Sequence, residues 1–475
     1  MHARRFALAL AAAALTLTAC GADTPSVGGP SSAAPRPTEP GTGEHPTDPP
    51  PATDGGWLGG APAWHAPEDA GAGRELSATA TEAPSGDMTL TEAPTAAMPG
   101  DIAPPGDIVA QPGLRAGSVD DNADFTGYLD YLTRIADLGI ALRPFDPTGR
   151  IVVSVRGADG RPVAGAEVHI APDDTPSADS TAVVLRTTAD GTVRYHPALY
   201  GVPAASYEVW IEGGPATTAE PDGTAELVLD GPGGRAAPVA VDVLFLLDAT
   251  GSMGDEIDRL KTQIDSVAER VAALEGAPDV RFGMTLYRDE GDAFVTATRD
   301  FTSDVQAFRA DLADVVADGG GDYPEALEEG LAEALLAPAW RDPASTLQLV
   351  FLVADAPPQV GRQLDHTYAD SIREAVGRGL KIFPVASSES DDQAEAVFRQ
   401  LAQATGARFV FLTYGAGGAA TGGNTDITST DYEELALDDL VVRLVAEELA
   451  ELTGDASVVP PVTAPPPVTT NPPGQ

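Results

Sequence analysis

Residues 241–247 read Val-Asp-Val-Leu-Phe-Leu-Leu, and the five that follow read Asp-Ala-Thr-Gly-Ser. The first run has the length and the large or β-branched side chains of a buried central strand, and it is too short for a buried helix. From there to residue 453 strand-like and helix-like stretches alternate. Strands are expected at 241–247, 280–287, 293–297, 347–354, 381–386 and 408–413. The clearest helix carries Ile257, Leu260, Ile264, Val267, Val271 and Leu274 in one apolar stripe and closes at Gly276. Further helices are expected near 303–317, 324–337, 366–378, 392–405 and 432–452. This alternation commits residues 236–453 to an α/β fold, a doubly wound, mostly parallel sheet with helices on both faces.

Such a sheet places its ligand sites at the carboxyl ends of its strands. Asp248, Thr250 and Ser252 sit at that position, one carboxylate and two hydroxyls at alternate residues of a tight turn. Small oxygen ligands in this spacing suit a hard divalent cation, Mg²⁺ or else Mn²⁺ or Ca²⁺. Three more loops belong to the same edge: Tyr287-Arg288-Asp289-Glu290, the segment 319–325 with Asp322 and Glu325, and Ala354-Asp355-Ala356-Pro357-Pro358. Convergence of strand ends would bring Asp289, Asp322, Glu325 and Asp355 to the first three residues, around one or two cations. Plainer readings compete. Asp255, Glu256 and Asp258 occupy a helix first turn, where the dipole favours acids. Asp289 and Glu290 read equally as a solvated loop, and Ser252 as a helix N-cap.

With those residues in view, 236–453 resembles a von Willebrand factor type A domain. The Asp-x-Thr-x-Ser turn resembles that family's metal-ion-dependent adhesion site, and Asp355 matches the aspartate of the later strand end. The resemblance implies a cation held by Asp248, Thr250, Ser252 and Asp355, with Asp322 or Glu325 where the family has a threonine. The closer likeness is to the integrin β inserted domain, whose Asp-x-Pro-Glu loop is matched by Asp322-Tyr323-Pro324-Glu325. That likeness implies two secondary sites. Asp255 and Glu256, after Ser252-Met253, would serve an adjacent Ca²⁺. Asp289, Asp322, the Pro324 carbonyl and Glu325 would serve a third cation. Gly320 departs from the pattern, because that branch carries an asparagine ligand there.

The remaining chain is organised around this region. Arg4 and Arg5 precede a short apolar core ending in Leu17-Thr18-Ala19-Cys20, which resembles the lipobox of bacterial lipoproteins. The resemblance implies a signal peptide over 1–19, lipidation of Cys20, and a membrane-anchored protein exposed outside the cytoplasm, at the cell surface or in the periplasm. Cys20 is the one cysteine of the 475 residues, so no intrachain disulfide can form. Residues 20–110, rich in Pro, Ala, Thr, Ser and Gly, read as a disordered tether, and 454–475 as a Pro-rich disordered tail.

Between tether and α/β region lie two further units. Over 111–147 a short amphipathic helix is expected to dock on the next domain through Phe125, Tyr128, Leu129, Leu132 and Ile135. The preceding Asp120-Asp121-Asn122 reads as helix-start acidity rather than a Ca²⁺ site. Over 148–232 alternating runs, among them Ile151-Val153-Val155 and Tyr207-Val209-Ile211, are punctuated by Asp-Gly turns and predict a small antiparallel β-sandwich. Its 160–168 and 189–193 stretches resemble the carboxypeptidase-regulatory-like, or transthyretin-like, family. His169 and His196 within it read as ordinary strand residues.

A formal charge of −44 with two lysines argues against nucleic acid as a partner. It also disfavours any membrane contact beyond the lipid anchor. No catalytic set is evident: there is no Gly-x-Ser-x-Gly elbow, and His366 reads as a helix-surface residue rather than a base for Ser252. The chain therefore reads as a binder, not an enzyme, taking a protein or extracellular-matrix ligand through an acidic side chain of that ligand. An envelope scaffold using the same site and a metal-dependent hydrolase remain the alternatives.

Overall fold

The computed structural model describes residues 115–173, 182–236, 238–276, 278–321, 323–387, 390–413 and 433–461. The signal peptide, Cys20, the tether to residue 110 and Asp322 lie outside the described residues, as does the side chain of Asp255.

The chain opens with β1 (Arg115–Val119) and α1 (Phe125–Asp137). Two small sheets follow, built from β2 (Ile151–Gly157), β3 (Glu167–Pro172), β4 (Val183–Arg186), β5 (Thr192–Tyr195), the one-turn α2 (Pro197–Tyr200), β6 (Tyr207–Trp210), β7 (Ala216–Ala219) and β8 (Thr224–Leu229). One sheet runs β5-β2-β8 and the other β4-β3-β6-β7. Alternate residues of β2 (Ile151, Val153, Val155), β3 (Val168, Ile170) and β6 (Tyr207, Val209) are buried in a shared apolar core. The ladders are not all antiparallel, because β2 pairs β8 in parallel.

The α/β region comprises β9 (Ala240–Asp248), α3 (Gly254–Ala272), β10 (Asp279–Tyr287), β11 (Thr296–Thr302), α4 (Val305–Ala313), α5 (Leu327–Leu336), β12 (Thr346–Ala354), α6 (Tyr368–Arg378), β13 (Lys381–Ala386), α7 (Asp392–Thr405), β14 (Phe409–Thr413), β15 (Glu433–Ala436) and α8 (Leu437–Thr453). Its eight strands run β11-β10-β9-β12-β13-β14-β1-β15. Neighbours from β10 to β14 are parallel, and β11 joins the edge antiparallel. This is the α/β, mostly parallel architecture that the alternation predicts. The stripe of α3 lies buried, from Ile257 through Val271, and each such aliphatic side chain contributes about 1.5–3 kcal/mol on leaving water.

Further features differ from the sequence expectation. Segment 111–147 holds more than a helix: β1 enters the large sheet between β14 and β15, antiparallel to both. Its helix α1 docks on α7, where Tyr128, Tyr131 and Ile135 pack with Ala396 and Arg399 grips Asp121 through two hydrogen bonds of 2.9 and 2.5 Å, and it also meets the small sheets, with Phe125 under the Arg150 guanidinium. Beyond residue 454 a short helical turn, Ala456–Val458, follows, with Val458 buried in the core.

Strand β9 is also not apolar throughout. Asp242 is fully buried within it, and is held by Arg281 through both carboxylate oxygens (2.9 and 2.8 Å) and by the Arg341 side chain (2.8 Å) and backbone N–H (2.9 Å). Two guanidinium groups make a buried carboxylate tolerable there. Among the described residues no helix is long and apolar enough to cross a membrane.

Candidate metal centre

The parallel register sets Tyr287, the last residue of β10, beside Asp248, the last of β9. Asp248 is 0 % exposed. Its Oδ1 accepts hydrogen bonds from the Thr250 backbone N–H (2.9 Å) and the Thr250 hydroxyl (2.7 Å), and its Oδ2 from the Tyr287 hydroxyl (3.0 Å). The Thr250 and Ser252 hydroxyls stand 3.1 Å apart. Ser252, unlike Asp248 and Thr250, lies at the exposed rim. It does not cap α3, whose N-cap, Met253, makes no side-chain hydrogen bond. Its hydroxyl instead faces the Thr250 hydroxyl and lowers the pKa of the Asp355 carboxyl against the effect of burial. The plainer reading of Ser252 as a capping residue therefore fails.

Backbone hydrogen bonds tie this turn to the glycine-rich segment: Gly251 N–H donates to Gly319 O (3.1 Å) and Asp318 N–H to Ala249 O (3.1 Å). Asp292 fastens the same segment from the other side, its Oδ2 accepting from the N–H groups of Gly320 (2.8 Å) and Asp289 (3.1 Å). Gly320 has a φ of +70°. A Cβ there would stand 2.9 Å from Glu325 Oε1 and 3.2 Å from Thr250 Cβ. A side chain there would displace the end of Glu325 and press on Thr250, and the left-handed backbone itself favours glycine. The Glu325 backbone N–H is anchored by Pro357 O (3.1 Å).

Asp248, Thr250, Ser252, Glu325 and Asp355 are therefore brought together. Glu325 and Asp355 are each 4 % exposed, and Glu325 Oε2 and Asp355 Oδ1 are buried without a hydrogen-bond partner. Burial, followed by the repulsion of the neighbouring carboxylates, pushes Glu325 up to about 8. Burial and then Asp248 push Asp355 up to about 7, and burial pushes Asp248 itself up to about 6. Among the described residues no ion pair reaches any of the three. The nearby Arg288 bonds Ala249 O and Val316 O and pairs with Asp318 instead.

Orphaned carboxylate oxygens, two hydroxyls and an exposed rim form a donor set that fits a hard divalent cation. Among the described residues no three His, Cys, Asp or Glu side chains are close enough to hold a metal by themselves. Hydroxyls and water would have to complete the shell, as Mg²⁺, which keeps several waters, allows.

The secondary residues fare differently. Glu256 is buried and its charge acts on Asp355, whereas Asp258 is exposed and pairs with Lys261. Asp289 Oδ1 and the Pro324 carbonyl do converge, but on the Gln359 side-chain N–H₂ group, at 2.7 and 3.1 Å. His366 Nε2 stands 2.9 Å from Ser371 Oγ, at the start of α6 and not at Ser252. His196 is buried, and burial followed by the nearby arginines 150 and 194 holds its pKa down to about 3. Sequence reasoning missed the roles of Tyr287, Asp292 and Gln359. A tyrosine closing the strand beside the Asp-x-Thr-x-Ser strand was the one available signal.

The von Willebrand factor A domain family pattern matches residues 242–414. An alpha-protein kinase, vwkA, of Dictyostelium discoideum is 32% identical over 147 residues, which are 31% of this chain and 23% of that protein. The von Willebrand factor A domain-containing protein 7 of Rattus norvegicus is 34% identical over 122 residues, 25% of this chain and 12% of that one. The chain thus spans less than a quarter of the length of the curated relatives it matches. Among solved structures, the conserved hypothetical protein BatB from Bacteroides thetaiotaomicron aligns with a TM-score of 0.28 at 13% identity, covering 35% of this chain and 88% of that one. The pilus adhesin SpaC from Lactobacillus rhamnosus GG, in its open conformation, aligns with a TM-score of 0.28 at 14% identity, covering 42% and 29%.

Proposed function

We propose that the chain, whose residues 242–414 match the von Willebrand factor A domain pattern, is a lipid-anchored envelope protein that binds a protein or matrix ligand through a divalent cation. Asp248, Thr250, Ser252, Asp355 and Glu325 would hold the cation; Asp322 joins them on the sequence pattern. Cys20 would carry the lipid, and residues 20–110 would hold the binding domain away from the membrane. Residues 148–232 would act as a spacer of the carboxypeptidase-regulatory-like type.

The observation that carries this reading is the pair of orphaned oxygens, Glu325 Oε2 and Asp355 Oδ1, beside a fully buried Asp248. Burying ionised carboxylates without a counter-charge is costly. Other deeply buried carboxylates among the described residues are met by a cation, Asp242 and Glu328 by arginines and Glu448 by Lys381. Bound Mg²⁺ would supply the missing positive charge and an electrophilic position for an acidic side chain of a partner.

The chain's own residues prepare that position. Thr250 and Tyr287 orient the Asp248 carboxylate, Asp292 fastens the glycine turn from its other side, and Ser252 sits at the solvent-facing rim. In a chain of formal charge −44, the local sign would then reverse only where the anion docks.

The test is capture of envelope or matrix ligands by the full chain in Mg²⁺, in EDTA and with Asp248→Ala. Capture that is unchanged in all three conditions sinks the reading. Capture of another protein of the same envelope, lost in EDTA, would favour the scaffold role over adhesion.

A further inference from the structure

The likeness to the integrin β inserted domain implies a third cation among Asp289, Asp322, the Pro324 carbonyl and Glu325, of which Asp322 lies outside the described residues. The described ones do not fit a cation. Gln359 Nε2 donates to Asp289 Oδ1 at 2.7 Å and to the Pro324 carbonyl at 3.1 Å. The orientation of this amide is set by its other end. Arg362, which can only donate, gives a hydrogen bond to Gln359 Oε1 at 3.3 Å. Arg362 is itself held by Glu329, at 2.8 Å, and by Glu290. The N–H₂ group therefore faces the two oxygens a cation would need. The asparagine ligand of that branch is also replaced, by Gly320, where a Cβ would crowd Glu325 Oε1 and Thr250.

We propose that the Gln359 amide, oriented by Arg362, stands where the third cation would sit and is the positioning residue that presents Glu325 to the primary site. Its two N–H donors satisfy the same two acceptors a cation would bridge, without adding a positive charge. With the Glu325 N–H on Pro357 O and the Ala326 N–H on Arg288 O, residues 323–326 are fastened by hydrogen bonds to the 355–359 loop and to the loop after β10. The primary site is then set in advance and needs one metal where the integrin β pattern needs more. This inference rests on the reading of Asp248, Thr250, Ser252 and Asp355 as the primary site, but its test is separable from that reading.

Two measurements on the full chain decide it. The first is hydrogen exchange of residues 323–326 in EDTA. Gln359→Ala is expected to speed exchange there about tenfold, the scale of one lost buried hydrogen bond, and wild-type exchange is expected to be indifferent to Ca²⁺. Gln359→Glu, which sets a third carboxylate against Asp289 and the Pro324 carbonyl, is expected to make protection Ca²⁺-dependent. A purely structural role for the side chain would not produce that dependence. The second is cation stoichiometry by native mass spectrometry in Ca²⁺, where Gln359→Glu is expected to carry one cation more than wild type. Unchanged exchange in Gln359→Ala overturns the proposal. So does a wild-type cation that survives Asp248→Ala and disappears in Asp289→Asn. If wild type binds no cation but the exchange results hold, the primary-site reading fails and the positioning role of Gln359 stands.

Discussion

Strand β9 carries a fully buried aspartate at each end, and the two ends solve the same electrostatic problem in opposite ways. Asp242 is met by Arg281 and Arg341, which supply charge and fill its hydrogen-bonding capacity from within the chain. Asp248 is met by neutral donors alone, Thr250 and Tyr287, with Glu325 and Asp355 adding negative charge beside it. One end is neutralised and closed. The other is left anionic, open at Ser252, and dependent on a cation from solution under the proposed function. The sheet's amino-terminal edge is thus neutralised from within the chain, and its carboxyl-terminal edge keeps buried carboxylates unpaired, which the proposed function ties to binding.

The largest effect should come from breaking the closed end. Asp242→Ala leaves two guanidinium groups without their buried partner and is expected to cost about 3–5 kcal/mol. A Tm lower by roughly 10 °C, equal in Mg²⁺ and in EDTA, is the expected scan for a chain of this size. Asp248→Ala should behave in the reverse way. In EDTA it relieves carboxylate repulsion and leaves Tm unchanged or higher. In Mg²⁺ it forfeits the ligand-linked stabilisation of wild type, about 2.7 kcal/mol at a hundredfold excess over Kd. If both variants lose stability equally in EDTA, the contrast between the two ends collapses.

A smaller effect should appear with pH. Asp248, Asp355 and Glu325 are raised to about 6, 7 and 8, so the folded chain holds protons that the unfolded chain releases from about pH 4 upward. Metal-free stability should therefore fall as pH rises from about 4 to about 8 and level off above that range. The Mg²⁺-dependent gain in Tm should grow over the same interval, because metal and protons compete for these oxygens. Calorimetric scans at pH 5 and pH 8, with and without Mg²⁺, check both signs, and a metal-free Tm rising over this interval would contradict them. The smallest effect is expected of Ser252→Ala: a several-fold weaker Mg²⁺ affinity by titration calorimetry, from loss of one neutral hydrogen-bonding group, with Tm in EDTA almost unchanged because the side chain lies at the exposed rim.

How much of this was legible from residues alone follows from what each element buries. β9, β10, β12, β13 and β14 were each predicted to within a residue or two, because long apolar runs leave few alternatives. β11 was displaced, from 293–297 to Thr296–Thr302, since an edge strand reading Thr-Ala-Thr-Arg-Asp-Phe-Thr carries no apolar alternation. β1 went unseen for a related reason. Of Arg-Ala-Gly-Ser-Val the buried residues described are the small Ala116 and Gly117, and its partners β14 and β15 lie some three hundred residues away. The site divided along the same line. Asp248, Thr250 and Ser252 share one turn and could be read from spacing, whereas Asp292 and Gln359 act through loops whose meeting no local pattern records.

The sequence by itself determined the α/β class, the strand that ends in Asp248, and the set of oxygen-bearing side chains at one sheet edge, because periodicity and strand polarity are local properties. Tertiary structure alone decided which buried acids receive an arginine and which do not, that Gly320 lies between Glu325 and Thr250 with room for no side chain unless Glu325 shifts, and that an amide stands between Asp289 and Pro324. Those outcomes depend on distances between segments far apart in the chain. A buried charge responds to whatever packing brings beside it, not to its neighbours in sequence.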